Sequence, residues 1–289
     1  MSILGEWIHF GTPVKNNPAK NNRDRPYAGY LARPERAGGA LPAVLVFQEI
    51  WGVDAHIEDV TRRFAAAGYV AFAPDLYVEQ GERPPVIAAD RVAEVQEFVG
   101  EYGFPVLMNP AAFAEALGKK SESLRNRIQE TVKTLFAGLS SGGLRLEKYL
   151  PICIEASRFL RNECTFSKGQ KIAAVGYCMG GGLSALLACS DPELAGAVIY
   201  YGSAPDEEKL ASIQCPILGL YGELDERVNA GISKFSDSMK KLGKKFDHVI
   251  YPGAQHAFFN DSRPAYNAKA SRDSFVRTLE FLKGNLEAL

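Results

Sequence analysis

"KIAAVGYCMGGGLSALLACS" (171–190) places a single cysteine, Cys178, between two glycine positions at the junction of two apolar runs. The run before it hardly alternates, which suits a strand buried on both faces, as in a parallel sheet. The run after it reads as a helix. Gly176 and Gly180, two residues either side of Cys178, leave room for a cramped strand-to-helix turn. Such a turn exposes one side chain and points the next backbone N–H into the same space. A thiol at this position also sits at a helix N-terminus, which favours the thiolate. A structural cysteine beside a glycine-rich turn is the competing reading, so the rest of the chain must decide.

Runs of the same kind recur on both sides of it. "AVLVF" (43–47), "YVAFAP" (69–74), "GAVIYY" (196–201), "PILGLYG" (216–222) and "FDHVIYP" (246–252) all read as buried strands. Helical patterns separate them. "DAHIEDVTRRFAAAG" (54–68) has Asp54 as N-cap, Gly68 as stop, and Ile57, Val60 and Phe64 at helical spacing. Residues 231–243 and 271–289 read the same way, and "WIHFGT" with "YAGYLARP" would add an edge hairpin. Strands alternating with helices predict an α/β fold with a mostly parallel open sheet flanked by helices.

One stretch is too long for a single crossover. Residues 80–165 hold four helix-like segments (86–103, 109–120, 123–139 and 144–163), with Asn109-Pro110 as a cap and Pro151 starting or kinking the last. This is a helical insertion before the nucleophile strand, within a single domain of residues 1–289. A lid over one end of the sheet, a dimer surface and plain padding are its three readings.

The turn at Cys178 calls for an acid and a histidine later in the chain, and only four histidines exist. His9 and His56 precede the cysteine, and His248 alternates into a strand. His256 in "YPGAQHAFFN" lies in a loop just after the last strand, where an open sheet delivers residues to its carboxyl edge. For the acid, "PILGLYGELDERV" offers Asp225 beyond a strand, with Glu223 beside it. "VLVFQEIWG" ends its strand near Glu49, whose apolar neighbours make an ionised carboxylate costly unless it is paired. An ordinary salt-bridged loop residue is the alternative there. The same loop supplies the second oxyanion N–H in hydrolases of this architecture.

Composition narrows the chemistry. A net charge of −1 over 289 residues, without a long charge run, argues against nucleic acid or a membrane surface as partner. Five scattered cysteines without a CxxC pair argue against a disulfide framework and a zinc site and for a reducing compartment. "MSILGEWIHFGTPVKNN" has no basic start leading into an apolar stretch, so a cytoplasmic location is expected.

Together these residues resemble the dienelactone hydrolase family of the α/β-hydrolase superfamily. The resemblance rests on 41–75 ("LPAVLVFQEIWGVDAHIEDVTRRFAAAGYVAFAPD") and on 171 to the C-terminus. It implies an α/β-hydrolase fold without cofactor or metal, acting on small-molecule esters or lactones. In that family the nucleophile is a cysteine, which corresponds to Cys178 in "GYCMGG". The acid corresponds to Asp225 in "GELDERV", the base to His256 in "GAQHAF", and the glutamate that interacts with the resting thiol to Glu49. Backbone N–H groups of Ile50 and Met179 correspond to the oxyanion hole. Trp51, Tyr77 and Phe258 are the expected substrate contacts. Where dienelactone-cleaving members carry carboxylate-binding arginines, this chain has Glu79 and Asn260, with Arg83 and Arg263 nearby. That departure and the long insertion separate how the chain reacts from what it reacts with.

The leading expectation is thus a cysteine-nucleophile hydrolase of esters or lactones, with a homodimer as one option. A redox-responsive ligand-binding protein on the same fold is one alternative, and acyl transfer or peptide cleavage by the same triad is another.

Overall fold

The computed structural model describes residues 2–12, 25–137 and 145–287. The chain divides into two compact units, one of residues 1–76 with 146–289 and the other Tyr77–Arg145.

The first unit is built on an eight-stranded sheet in the order β1-β2-β4-β3-β5-β6-β7-β8. Its strands are β1 (Ile3–Phe10), β2 (Tyr27–Pro34), β3 (Ala43–Phe47), β4 (Val70–Pro74), β5 (Ile172–Tyr177), β6 (Gly196–Tyr200), β7 (Ile217–Gly222) and β8 (Phe246–Tyr251). β1 and β2 form the antiparallel edge hairpin, β2 pairs antiparallel with β4, and the other neighbours are parallel. The middle strands are buried on both faces, as their unalternated composition demands. β8 departs from that expectation. It is the sheet's outer edge, so Asp247, His248 and Ile250 are exposed and His248 stacks on Phe246. Only Tyr251 of this strand is buried, because an edge strand has a neighbour on one side alone.

The order places the switch point between β3 and β5. The chain leaves β3 towards β4 on one side and β5 towards β6 on the other. Open α/β sheets bind ligands at the carboxyl ends of strands in such a crevice.

Local signals set the flanking helices. α1 (Ala55–Ala66) is capped by Asp54, whose carboxylate accepts from the Ile57 N–H at 3.1 Å. Its Ile57, Val60 and Phe64 are buried. α2 (Ala89–Tyr102), α3 (Pro110–Gly118) and α4 (Glu122–Leu135) form the second unit. There Asn109 caps α3 by accepting from Ala111 and Ala112 N–H, both at 3.1 Å. Arg127 of α4 ties α2 through Glu94 at 2.8 Å and Asp90 at 2.7 Å, while Phe98 packs edge-on against Phe113. Glu79 lies in a tight turn of the second unit, bridged to Glu82 through Gln80 and Gly81, both at positive φ.

α5 (Leu150–Asn162) belongs to the first unit, with Pro151 in its first turn rather than as an internal kink. Its Ile152, Cys153, Ala156 and Leu160 are buried, which makes this last helix-like segment part of the sheet's packing. α6 (Met179–Ala188), α7 (Glu226–Asn229), α8 (Ile232–Lys241) and α9 (Ala268–Leu286) complete the first unit. Among the described residues, no helix is long and apolar enough to cross a membrane.

Candidate active site

Cys178 follows the last residue of β5 and precedes the first of α6, at φ 55° and ψ −113°. A side chain rarely adopts this left-handed backbone, and such strain survives only where the surroundings enforce it. The surroundings are glycine. A Cβ on Gly176 would lie 1.8 Å from the Gly180 carbonyl oxygen, and one on Gly180 would lie 2.2 Å from the Phe47 oxygen. The second contact is why the loop after β3 can rest against the first turn of α6. Gly176→Ala is therefore expected to cost about 2–4 kcal/mol of stability, because both clashing partners are backbone. A thermal melt unchanged from the parent would refute that account of the turn.

The other residues arrive from neighbouring strand ends. Asp225 stands three residues beyond β7, with its N–H on the Gly222 carbonyl at 3.1 Å, and it is 7% exposed. His256 lies in the loop after β8, where Ala257 takes φ 61°. Its Nδ1 meets Asp225 Oδ2 at 2.5 Å. Burial works to lower the imidazole's pKa, but the Cys178 charge and the hydrogen bonds to Asp225 and to the Cys178 thiol outweigh it and push it up to about 10. With Nδ1 engaged by Asp225, Nε2 is the ring nitrogen left for the sulphur. Glu223 is set apart from this chain of contacts, since its carboxylate accepts from the Gly253 N–H at 2.8 Å and shapes the turn.

Glu49 stands two residues past β3, 4% exposed. Its Oε2 accepts from Asn260 Nδ2 at 2.7 Å and its Oε1 from the Tyr201 hydroxyl at 3.3 Å. Gln48 beside it is fully buried and accepts from the Leu76 N–H at 3.2 Å, tying the loop to the end of β4. Tyr201 follows β6 at φ 40°, with its ring centroid 5.1 Å from that of His256. Burial, then the charges of Glu49, Tyr177 and Cys178, push its hydroxyl well above the ordinary tyrosine range. It therefore stays a donor to Glu49. Nothing in "GAVIYY" distinguishes Tyr201 from a strand residue; its one signal is its place at a strand's carboxyl end.

Met179 opens α6, so its N–H has no partner within the helix, and Ile50 directly follows Glu49. Trp51 is buried under the Arg263 guanidinium, 4.9 Å from ring centroid to charge. Two sequence expectations change. Phe258 is fully buried against Tyr200, Tyr201 and Tyr251, so it is a core side chain rather than a substrate contact. Asn260 is fully buried on Glu49, so its amide is already engaged within the protein. Tyr77 begins the second unit and is buried.

The comparisons with known proteins agree with this arrangement of strands. A model of the dienelactone hydrolase family matches residues 27–286. The chain belongs to the dienelactone hydrolase family. A candidate carboxymethylenebutenolidase of Saccharolobus solfataricus is 31% identical over 255 residues, covering 88% of this chain and 92% of that one. One of Escherichia coli is 29% identical over 265 residues, covering 88% and 81%. The crystal structure of a candidate dienelactone hydrolase from Klebsiella pneumoniae superposes with a TM-score of 0.68, covering 97% of this chain and 98% of that one. At 24% identity that structural likeness speaks for the shared α/β-hydrolase fold. Membership makes this chain a dienelactone hydrolase-like hydrolase.

Proposed function

We propose that the chain hydrolyses carboxylic esters or lactones through Cys178, His256 and Asp225, with Glu49 as an auxiliary carboxylate. The observation that carries this reading is the Asp225 carboxylate on His256 Nδ1, with Cys178, at a strained strand-to-helix turn, among the groups that raise that imidazole's pKa. Relatives named as carboxymethylenebutenolidases, 31% and 29% identical, support a lactone or ester as the substrate class.

The chemistry follows from the proton positions. Cys178 gives its proton to His256 Nε2, and the sulphur attacks the substrate carbonyl. The oxyanion that forms is held by the N–H groups of Met179 and Ile50. The imidazolium then protonates the departing alkoxide, leaving a thioester on Cys178. His256 next takes a proton from water, hydroxide adds to the thioester, the acid leaves, and the imidazolium returns its proton to the released thiolate. Asp225 holds the ring so that Nε2 faces sulphur throughout.

At positions 79 and 260, where the family's dienelactone-cleaving members carry arginine, this chain has Glu and Asn, so uncharged esters and lactones are the preferred class. A panel of short activated esters and simple lactones, each with and without a carboxylate on the acyl side, tests this by initial rates. Turnover favouring the uncharged members is expected. No turnover of any member would overturn the function, and preference for the carboxylated ones would overturn the substrate class.

A further inference from the structure

Glu49 is held in an unusual way for a buried carboxylate. Among the described residues its hydrogen-bond partners are an amide and a phenol, and no lysine or arginine pairs with it. Buried carboxylates ordinarily need a charged partner or several donors. The amide itself is locked. Asn260 Oδ1 accepts from the Ser262 N–H at 3.1 Å and from its hydroxyl at 2.7 Å. A backbone N–H can only donate, so the oxygen must face Ser262 and Nδ2 must face Glu49.

We propose that Asn260 is a positioning residue for the thiol: its Ser262-locked amide holds the Glu49 carboxylate at the nucleophile without neutralising it. This rests on the reading of Cys178 as the reactive group. Tyr201 is the shared neighbour, donating to Glu49 and sensing the charge of Cys178. A cation in place of the amide would quench the carboxylate's field, whereas a neutral donor fixes its position and leaves the charge intact. The anchored charge then opposes thiolate formation until a substrate takes its place in the site.

The groups that face this corner are Glu49, Tyr201, Tyr177, and His256 with Asp225. Arg63 is felt by Tyr177, and Arg263 lies over Trp51. None of these charges is altered by changing Asn260, which is itself neutral. Without the amide, Glu49 either moves away or takes up a proton. Both outcomes remove negative charge near sulphur, so both lower the pH at which the thiol ionises.

The test is the rate of Cys178 alkylation by iodoacetamide across pH, with the labelled peptide identified by mass spectrometry. Asn260→Ala and the volume-conserving Asn260→Leu should move the midpoint down by about half a unit or more. Glu49→Gln should move it in the same direction. Adding Asn260→Ala to Glu49→Gln should move it no further, since both act through one carboxylate. Ser262→Ala, which only loosens the amide, should give a smaller shift of the same sign and covers the case in which a buried substitution at 260 fails to fold. Profiles of the folded variants that superimpose on the parent, or full additivity with Glu49→Gln, would overturn the proposal. The assay needs no ester, so a parent that turns over no ester but shows these shifts would defeat the hydrolytic reading and leave the positioning role standing.

Discussion

Cys178→Ala is expected to abolish ester turnover, lowering kcat by about 10⁴-fold or more, because the group that forms the covalent bond is gone. The loss should come without a matching fall in stability. The elbow's shape is set by Gly176 and Gly180, whose missing side chains admit the Gly180 and Phe47 carbonyls. Alanine at 178 keeps a Cβ and inherits the same strained backbone. Cys178→Ser is the more instructive partner. Once the thiol has passed its proton to His256, part of what keeps it there is the charge then left on sulphur, and a hydroxyl does not supply it. Serine should therefore retain a trace of activity, about 10²–10³-fold below the parent, with an imidazole that titrates nearer its ordinary range. Initial rates with a short activated ester, alongside a thermal melt, read both variants. A Cys178→Ala protein within tenfold of the parent would remove the thiol from the mechanism.

Asp225→Asn should have the next largest effect, a loss of about 10³–10⁴-fold in kcat from an acid whose task is to orient and charge-stabilise the ring. The substituted amide would keep the shape but lose the charge facing Nδ1, a contact of 2.5 Å in the parent. The pH profile carries the same information. The histidine is pushed up to about 10, so its charged form persists well above the ordinary imidazole range. Any stability it lends is present in full below that ordinary range and fades as pH rises towards about 10. Removing the Asp225 carboxylate takes away one of the forces holding the proton, so the alkaline limb of the activity profile should move to lower pH. NMR titration of the His256 ring in parent and variant checks the direction. An unchanged titration would mean that Asp225 is a bystander.

Part of this site is legible in the sequence because part of it is local. The turn at Cys178 depends on residues within two positions of it, and Gly176-Tyr177-Cys178-Met179-Gly180 states it outright. The capping of α1 by Asp54 and of α3 by Asn109 is equally legible, since each cap bonds residues two or three positions away. β8 reads as fully buried in the sequence and is not, because strand composition carries no information about which strand ends a sheet.

The contacts around Glu49 are of another kind. Asn260 lies 211 residues from it and Tyr201 lies 152 residues away. Tyr201 meets it because β3 and β5 are neighbours at the switch point and β6 follows β5, while Asn260 arrives on the segment after β8. Position 260 reads in the sequence as the loss of a substrate cation, while the folded chain uses it to hold a carboxylate. Phe258, two residues earlier in the same loop, turns into the aromatic core with Tyr200, Tyr201 and Tyr251.

The amino-acid order alone set the strand-to-helix turn, the thiol at its apex and the sequence of acid and histidine after it, because backbone sterics and chain order are local properties. Only the assembled sheet decided that Asp225 rather than Glu223 meets His256, that Asn260 and Tyr201 hold Glu49, and that Phe258 belongs to the core. Those choices depend on which strand ends lie side by side, and that is fixed by burial across the whole sheet.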